Sequence, residues 1–232
     1  MKYVALSSHL VISGAGRAGT SFLVALLTRL GLDTGFTPAD VERALASPAR
    51  AGLELDLLHG TDLPHVVKNP NLCDHIEQVL ARRDLRIEHL VVPLREPEAA
   101  AASRQRAQHD GLAALPWHKR WRAKLKHKPI PGGLWPSAQQ QPQAPLLVDR
   151  VHRLLLAAAA HDVPVTLLAY PRLVRDPAYL YARLAPLLDG IDEARFTAAF
   201  HAVVRPDRLH PGSVAEARTA EAVRPAFSLV SG

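Results

Sequence analysis

The sequence holds a single cysteine, Cys73, and no apolar run long enough to cross a membrane. One cysteine excludes an intrachain disulfide and a thiolate metal cluster, and it fits a reducing compartment. The 12 histidines are scattered, without the paired spacing that is typical of metal sites on helices. We therefore expect a cytoplasmic protein with no membrane span and no metal.

Acidic residues are missing between Gly111 and Val148, whereas residues 118–128 hold six lysines and arginines. This segment accounts for much of the net charge of +6, and the isoelectric point near 9.8 favours an anionic partner. Prolines and the pair Gly132-Gly133 also break the helix and strand pattern here. We expect one domain over residues 1–232 with a basic, proline-rich insertion at about 110–145.

Four apolar runs, at residues 9–13, 65–67, 87–94 and 163–170, have the composition of buried strands. Helical patterns lie between and after them, at 20–30, 38–46, 73–82, 96–108, 146–161, 177–188 and 192–203. This alternation predicts an α/β fold with three α/β/α layers around a mostly parallel sheet.

A glycine-rich loop follows the first predicted strand and leads directly into the first predicted helix. Its spacing Gly14-x4-Gly19 is that of a phosphate-binding P-loop, and Ser21 holds the Ser/Thr position. Backbone N–H groups of such a loop and the positive end of the following helix surround a phosphate. We expect the loop to bind a nucleotide phosphate through Gly14, Ala15, Gly16, Arg17, Ala18, Gly19, Thr20 and Ser21.

The loop lacks the lysine that nucleoside triphosphatases place after the last glycine, and Thr20 stands there instead. Two candidate strands end in arginines, Arg95 and Arg172, rather than in the carboxylate that would hold Mg²⁺. Arg95 follows a predicted strand and precedes a helix that carries Ser103, and its guanidinium suits a second phosphate. Both anion sites would lie at the carboxyl end of one sheet.

These segments together resemble the sulfotransferases that use 3′-phosphoadenosine 5′-phosphosulfate (PAPS). Residues 16–21 are similar to the GxxRSGTT segment of that family, and Arg95 with Ser103 matches its Arg-x7-Ser pair. Residues 66–70 are similar to its Lys-x-Pro or Lys-x-His element, and residues 167–177 to its hhxYExLxxDP segment, with Pro171 in place of the acidic residue. The resemblance implies that PAPS is the co-substrate and adenosine 3′,5′-bisphosphate the product. It also implies that Arg95 and Ser103 bind the 3′-phosphate and that no metal is needed.

Sulfuryl transfer implies charge on the leaving phosphate, for which Arg17 and then Lys68 are the candidate catalytic cations. The histidine that aryl and steroid sulfotransferases use as a base would fall at Pro70, and the family's C-terminal Arg-Lys-Gly motif is absent. The general base stays open among five residues, of which Glu54 is our choice: Asp33, Asp40, Glu54, His59 and His65.

The predicted function is sulfuryl transfer from PAPS to a hydroxyl or amine of a small molecule or glycan, with an acceptor that the sequence does not identify. One alternative is an ATP-dependent P-loop kinase of small molecules. Another is a non-catalytic module that binds nucleotides or nucleic acid through residues 118–128, although we expect no nucleic-acid partner. Trp117, just before this segment, and Trp121 within it could instead contact an anionic or sugar acceptor.

Overall fold

The computed structural model describes residues 6–14, 16–46, 52–118, 133–134 and 142–204. Its sheet has four parallel strands in the spatial order β2-β1-β3-β4. The strands are β1 (Ser7–Ile12), β2 (Val66–Lys68), β3 (Leu85–Leu94) and β4 (Val165–Ala169). Parallel pairing brings the carboxyl ends of all four strands to one edge of the sheet, and the loop after β1 lies at that edge.

Seven α-helices connect and flank the strands in the described residues. They are α1 (Thr20–Leu30), α2 (Pro38–Ala46), α3 (Ile76–Leu80), α4 (Pro97–Ala113), α5 (Gln143–Ala160), α6 (Pro177–Leu184) and α7 (Glu193–Val203). Short 3₁₀ helices span Leu72–Asp74, Arg172–Val174 and Ala185–Leu187. No helix in this part of the chain is long and apolar enough to cross a membrane.

Alternating side chains of the central strands enter two separate cores, one on each face of the sheet. Leu10 and Ile12 of β1 pack with α1, α6 and α7 on one face, where Phe196 and Phe200 are buried. Val11 of the same strand packs with α3 and α5 on the other face. Because β-strand side chains alternate in direction, this arrangement makes the fold three-layered, as predicted from the sequence.

Several boundaries differ from the predicted ones for local reasons. The predicted helix at 73–82 is interrupted at His75, whose φ of −145° is not helical, and α3 covers only Ile76–Leu80. Helix α4 extends past 108 to Ala113, and α5 already begins at Gln143. The two helices thus occupy both ends of the segment predicted as an insertion. Residues 119–132, 135–141 and 205–232, which include most of the basic patch and Trp121, lie outside the described residues.

Candidate functional site

The loop after β1 has the left-handed backbone that an anion-binding turn requires. Gly14, Gly16 and Gly19 have φ values of 128°, 71° and 95°, and α1 starts at the next residue, Thr20. Arg17 also has a positive φ, 61°, which costs about 1–2 kcal/mol for a residue with a Cβ. A strained residue held inside a phosphate-type loop points to a functional constraint on its position.

Arg17 contacts two of the residues predicted to share its site. Its Nε donates a hydrogen bond to Ser103 Oγ at 3.2 Å, across 86 positions of sequence. Its carbonyl oxygen accepts one from Arg95 Nη1 at 3.1 Å. Helix α4, which carries Ser103, and the end of β3, which is followed by Arg95, therefore meet at the loop.

Arg95 is positioned by the end of β3 and by an aromatic ring. Its guanidinium carbon lies 4.7 Å from the centre of the Tyr170 ring, which follows β4. The neighbouring Glu96 caps α4 by accepting hydrogen bonds from the backbone N–H groups of Glu98 and Ala99. The capping carboxylate thus serves the helix start, and the arginine is directed towards the loop.

Lys68 lies at the end of β2, and its ammonium group has three acceptors. Its Nζ donates to Ser21 Oγ at 2.8 Å, to the Gly52 carbonyl at 2.6 Å and to Glu54 Oε1 at 2.9 Å. The Lys68 side chain is 2% exposed, and its burial lowers its pKa, while the charge of Glu54 raises it. The ion pair joins two of the three residues proposed as catalytic and ties them to the first turn of α1.

The five candidates for a general base occupy different parts of the molecule. Glu54, with 39% of its side chain exposed, reaches Lys68 and also accepts from the Gly52 N–H. Asp33 accepts from the N–H of His65, and both precede β2 at the end of that strand opposite Lys68. Asp40 caps α2 together with Thr37, and His59 pairs with Asp56 on the surface. Glu54 is the candidate that the fold brings to the loop.

Most of the remaining loop residues are buried or packed against neighbouring elements. Ala18 and Thr20 are buried, and Ser21 is engaged by Lys68. Gly14 passes close to β3, since a Cβ there would lie 3.3 Å from the Pro93 carbonyl. Ala15 lies outside the described residues.

Arg104 is a buried cation at the loop that the sequence analysis did not select. It is 5% exposed, its Nη1 donates to the Gly133 carbonyl at 2.7 Å, and its Nη2 lies 2.8 Å from the position of a Cβ on Gly16. Burial and the charges of Arg17 and Arg150 lower the pKa of Arg104 to about 10. The residue types in this helix do not distinguish Arg104 from Arg106, which is exposed two positions further on.

No protein-family model matches the chain, and no curated protein matches it. Among solved structures, the sulfotransferase domain from the Synechococcus PCC 7002 olefin synthase aligns with a TM-score of 0.47 and 14% sequence identity. The alignment covers 100% of this chain and 92% of that domain. A structural similarity of this size does not establish the function of the chain.

Proposed function

We propose that the chain is a PAPS-dependent sulfotransferase whose donor site is the Gly14–Ser21 loop. The observation that carries this proposal is the convergence of Arg17, Ser103 and Arg95 at the loop through two hydrogen bonds. Arg17 and Arg95 supply two guanidinium groups, which suits a nucleotide with phosphates at two positions. ATP carries its phosphates in one chain, whereas PAPS separates a 3′-phosphate from a 5′-phosphosulfate.

Lys68 and Arg17 are proposed to stabilise the charge that develops on the leaving group. An acceptor hydroxyl oxygen attacks the sulfur, a new S–O bond forms, and the bond from sulfur to the 5′-phosphate oxygen breaks. The products are the sulfated acceptor and adenosine 3′,5′-bisphosphate, whose new negative charge the two cations face. The burial of Lys68 strengthens this interaction, because a charge acts more strongly where water is excluded.

Glu54 is proposed to take the proton that the acceptor hydroxyl loses. Its carboxylate lies 2.9 Å from Lys68 Nζ and stays 39% exposed, so an acceptor entering from solvent can reach it. The ion pair with Lys68 and the hydrogen bond from the Gly52 N–H orient the Glu54 carboxylate, as a base must be oriented before it accepts a proton. The acceptor is a hydroxyl-bearing or amine-bearing small molecule or glycan, and the basic segment at 118–128 favours an anionic one.

The nucleotide assignment is tested by calorimetric titration with adenosine 3′,5′-bisphosphate, adenosine 5′-monophosphate and ATP-Mg. We expect the bisphosphate to bind most tightly and Arg95→Ala to weaken it by about 2 kcal/mol, or roughly 30-fold. The same substitution should leave the 5′-monophosphate nearly unaffected. Arg106→Ala, an exposed position on the same α4, is the matched control.

Two results would contradict the proposal. If ATP-Mg binds more tightly than the bisphosphate and is turned over, the site belongs to a kinase. If Arg95→Ala weakens both adenosine nucleotides equally, Arg95 does not read the 3′-phosphate. Transfer of labelled sulfate from PAPS to a panel of hydroxyl and amine acceptors then tests the reaction directly.

A further inference from the structure

A groove of about 320 Å³ lies between α1, α2 and the end of α7. This volume falls within the range of protein pockets that hold small molecules. The lining is mostly apolar, and the apolar part comes from six residues: Ala25, Pro38, Val41, Leu45, Ala202 and Val203. None of the lining residues belongs to the donor loop, so the groove is a separate feature of the fold.

The polar side chains of the groove favour an uncharged, apolar occupant. Thr28 Oγ1 donates to the Val24 carbonyl at 2.8 Å and is hydrogen-bonded to Thr34 Oγ1 at 2.7 Å. Arg29 and Glu42 are exposed and carry opposite charges, so together they give the groove no net charge. A sugar would find few hydrogen-bond partners along this lining, whereas an apolar chain needs none.

One end of the groove lies close to the proposed reaction centre on the side of α1. Ala25 lines the groove, and Ser21 is one helical turn before it, about 6 Å along the helix axis. Ser21 Oγ accepts a hydrogen bond from Lys68 Nζ at 2.8 Å. An occupant of the groove would thus need to extend by only about one helical turn to reach the proposed catalytic lysine.

Helix α2 approaches the same centre from its own side of the groove. Leu45 lines the groove, and the Cβ of the preceding Ala44 lies 3.5 Å from the position of a Cβ on Gly52. The Gly52 carbonyl accepts from Lys68 Nζ at 2.6 Å, and the Gly52 N–H donates to Glu54. Both helices therefore lead from the groove to the ion pair of Lys68 and Glu54.

We propose that this groove is the acceptor site and that it binds the uncharged apolar chain of an alcohol, with the hydroxyl group at Glu54. The hydroxyl oxygen bonds to the sulfur of PAPS, Glu54 takes the proton, and adenosine 3′,5′-bisphosphate leaves. This inference rests on the proposed function, because it takes the loop as the donor site and Glu54 as the base. At about 30 Å³ for a group the size of a water molecule, the groove holds about ten methylene groups.

The first test is sulfuryl transfer from labelled PAPS by the full chain to 1-butanol, 1-hexanol, 1-octanol and 1-decanol. We expect kcat/KM to rise about fourfold for each added methylene group, because each one leaves water for the apolar lining. A chain-length dependence of this kind is specific to an apolar site. If kcat/KM does not change with chain length, the inference is wrong, even if the chain sulfates sugars and the proposed function stands.

A matched pair of variants locates the effect in the groove. Ala202 lines the groove from an exposed position on α7, so Ala202→Trp should fill part of it without disturbing the core. We expect kcat/KM for 1-octanol to fall roughly tenfold, as when about two methylene groups stay in water, and bisphosphate affinity to stay unchanged. The loss should be smaller for 1-butanol. Ala198→Trp, at an exposed alanine of the same helix outside the groove, should change none of these quantities.

Binding of 1-octanol without any nucleotide is measured separately by saturation-transfer NMR. We expect a signal for the wild type and for Ala198→Trp, and its loss for Ala202→Trp. A wild-type chain that does not bind 1-octanol overturns the inference. Binding by a chain that ends at Val204 but not by the full chain would assign the groove to residues 205–232 and also overturn it. If 1-octanol binds but no alcohol, amine or sugar accepts sulfate, the proposed function fails, and the acceptor role of the groove fails with it.

Discussion

The close approach of Arg104 to Gly16 predicts that the substitution Gly16→Ala lowers the free energy of unfolding. A Cβ on Gly16 would lie 2.8 Å from Arg104 Nη2, so the guanidinium must retreat by about 0.6 Å to an ordinary contact distance. Because Arg104 is buried, it has little room for that movement, and overpacking of this kind typically costs about 1–3 kcal/mol. Gly16 also has a φ of 71°, which adds about 1–2 kcal/mol of backbone strain for alanine.

A matched position elsewhere in the chain isolates the backbone contribution. Gly190 has a φ of 67°, but a Cβ there would meet nothing within 4 Å. Gly190→Ala should therefore cost only the backbone strain, reduced by about 0.4–1 kcal/mol because alanine has fewer unfolded conformations than glycine. We expect a net loss near 1 kcal/mol for Gly190→Ala and about 2–4 kcal/mol for Gly16→Ala.

Urea denaturation followed by circular dichroism measures both losses, and a double-mutant cycle assigns the difference to Arg104. In the Arg104→Met background the guanidinium is gone, so Gly16→Ala should cost about as much as Gly190→Ala. The reasoning is refuted if the cost of Gly16→Ala is the same with and without Arg104. It is also refuted if the two glycine variants lose equal stability in the wild-type background.

Two further predictions concern the base and a helix start. Glu54→Gln should lower kcat for sulfuryl transfer by about 10²–10⁴-fold at nearly unchanged bisphosphate affinity, because it removes the proton acceptor and leaves the loop intact. An equal loss of kcat and of nucleotide affinity would assign Glu54 to binding instead. Hydrogen bonds from the Thr37 side chain and backbone lower the pKa of Asp40 below its usual 3.8. The stability that the Asp40 carboxylate contributes is therefore complete above pH 3.8 and is lost as the pH falls through the lower pKa of the folded state. Asp40→Asn should therefore show a smaller drop in the urea midpoint between pH 6 and pH 3 than the wild-type chain, and an equal drop would contradict the capping role.

The layers of the fold could be predicted because the central strands are buried on both faces. Val91 of β3 enters one core, and its neighbours Leu90 and Val92 enter the other. Residues 90–94 of this strand are therefore all apolar, which is typical of a parallel strand buried on both faces. Helix ends were harder to predict. Gly111 lies within α4 although glycine weakens helices, so helix propensity does not predict the end of this helix at Ala113.

Much of the candidate site could be predicted because its residues follow strands. Parallel strands end at one edge, so placing Lys68, Arg95 and the loop after three strands was enough to bring them together. Arg104 could not be found in this way. The run of alanines at 99–102 leaves α4 without an apolar stripe, and the sequence therefore does not show which face of the helix turns towards the loop.

Arg17 acts electrostatically on two buried cations of the site, Lys68 and Arg104. Its charge lowers the pKa of both Lys68 and Arg104, although burial is the larger cause for each. Its left-handed φ of 61° accompanies two contacts, the carbonyl with Arg95 and Nε with Ser103. An anion bound at Arg17 would thus act on Lys68, the proposed catalytic lysine, and on the buried Arg104 at once. In the proposed reaction, a donor phosphate bound at Arg17 would favour the charged form of Lys68, which is the form that can stabilise a negative leaving group.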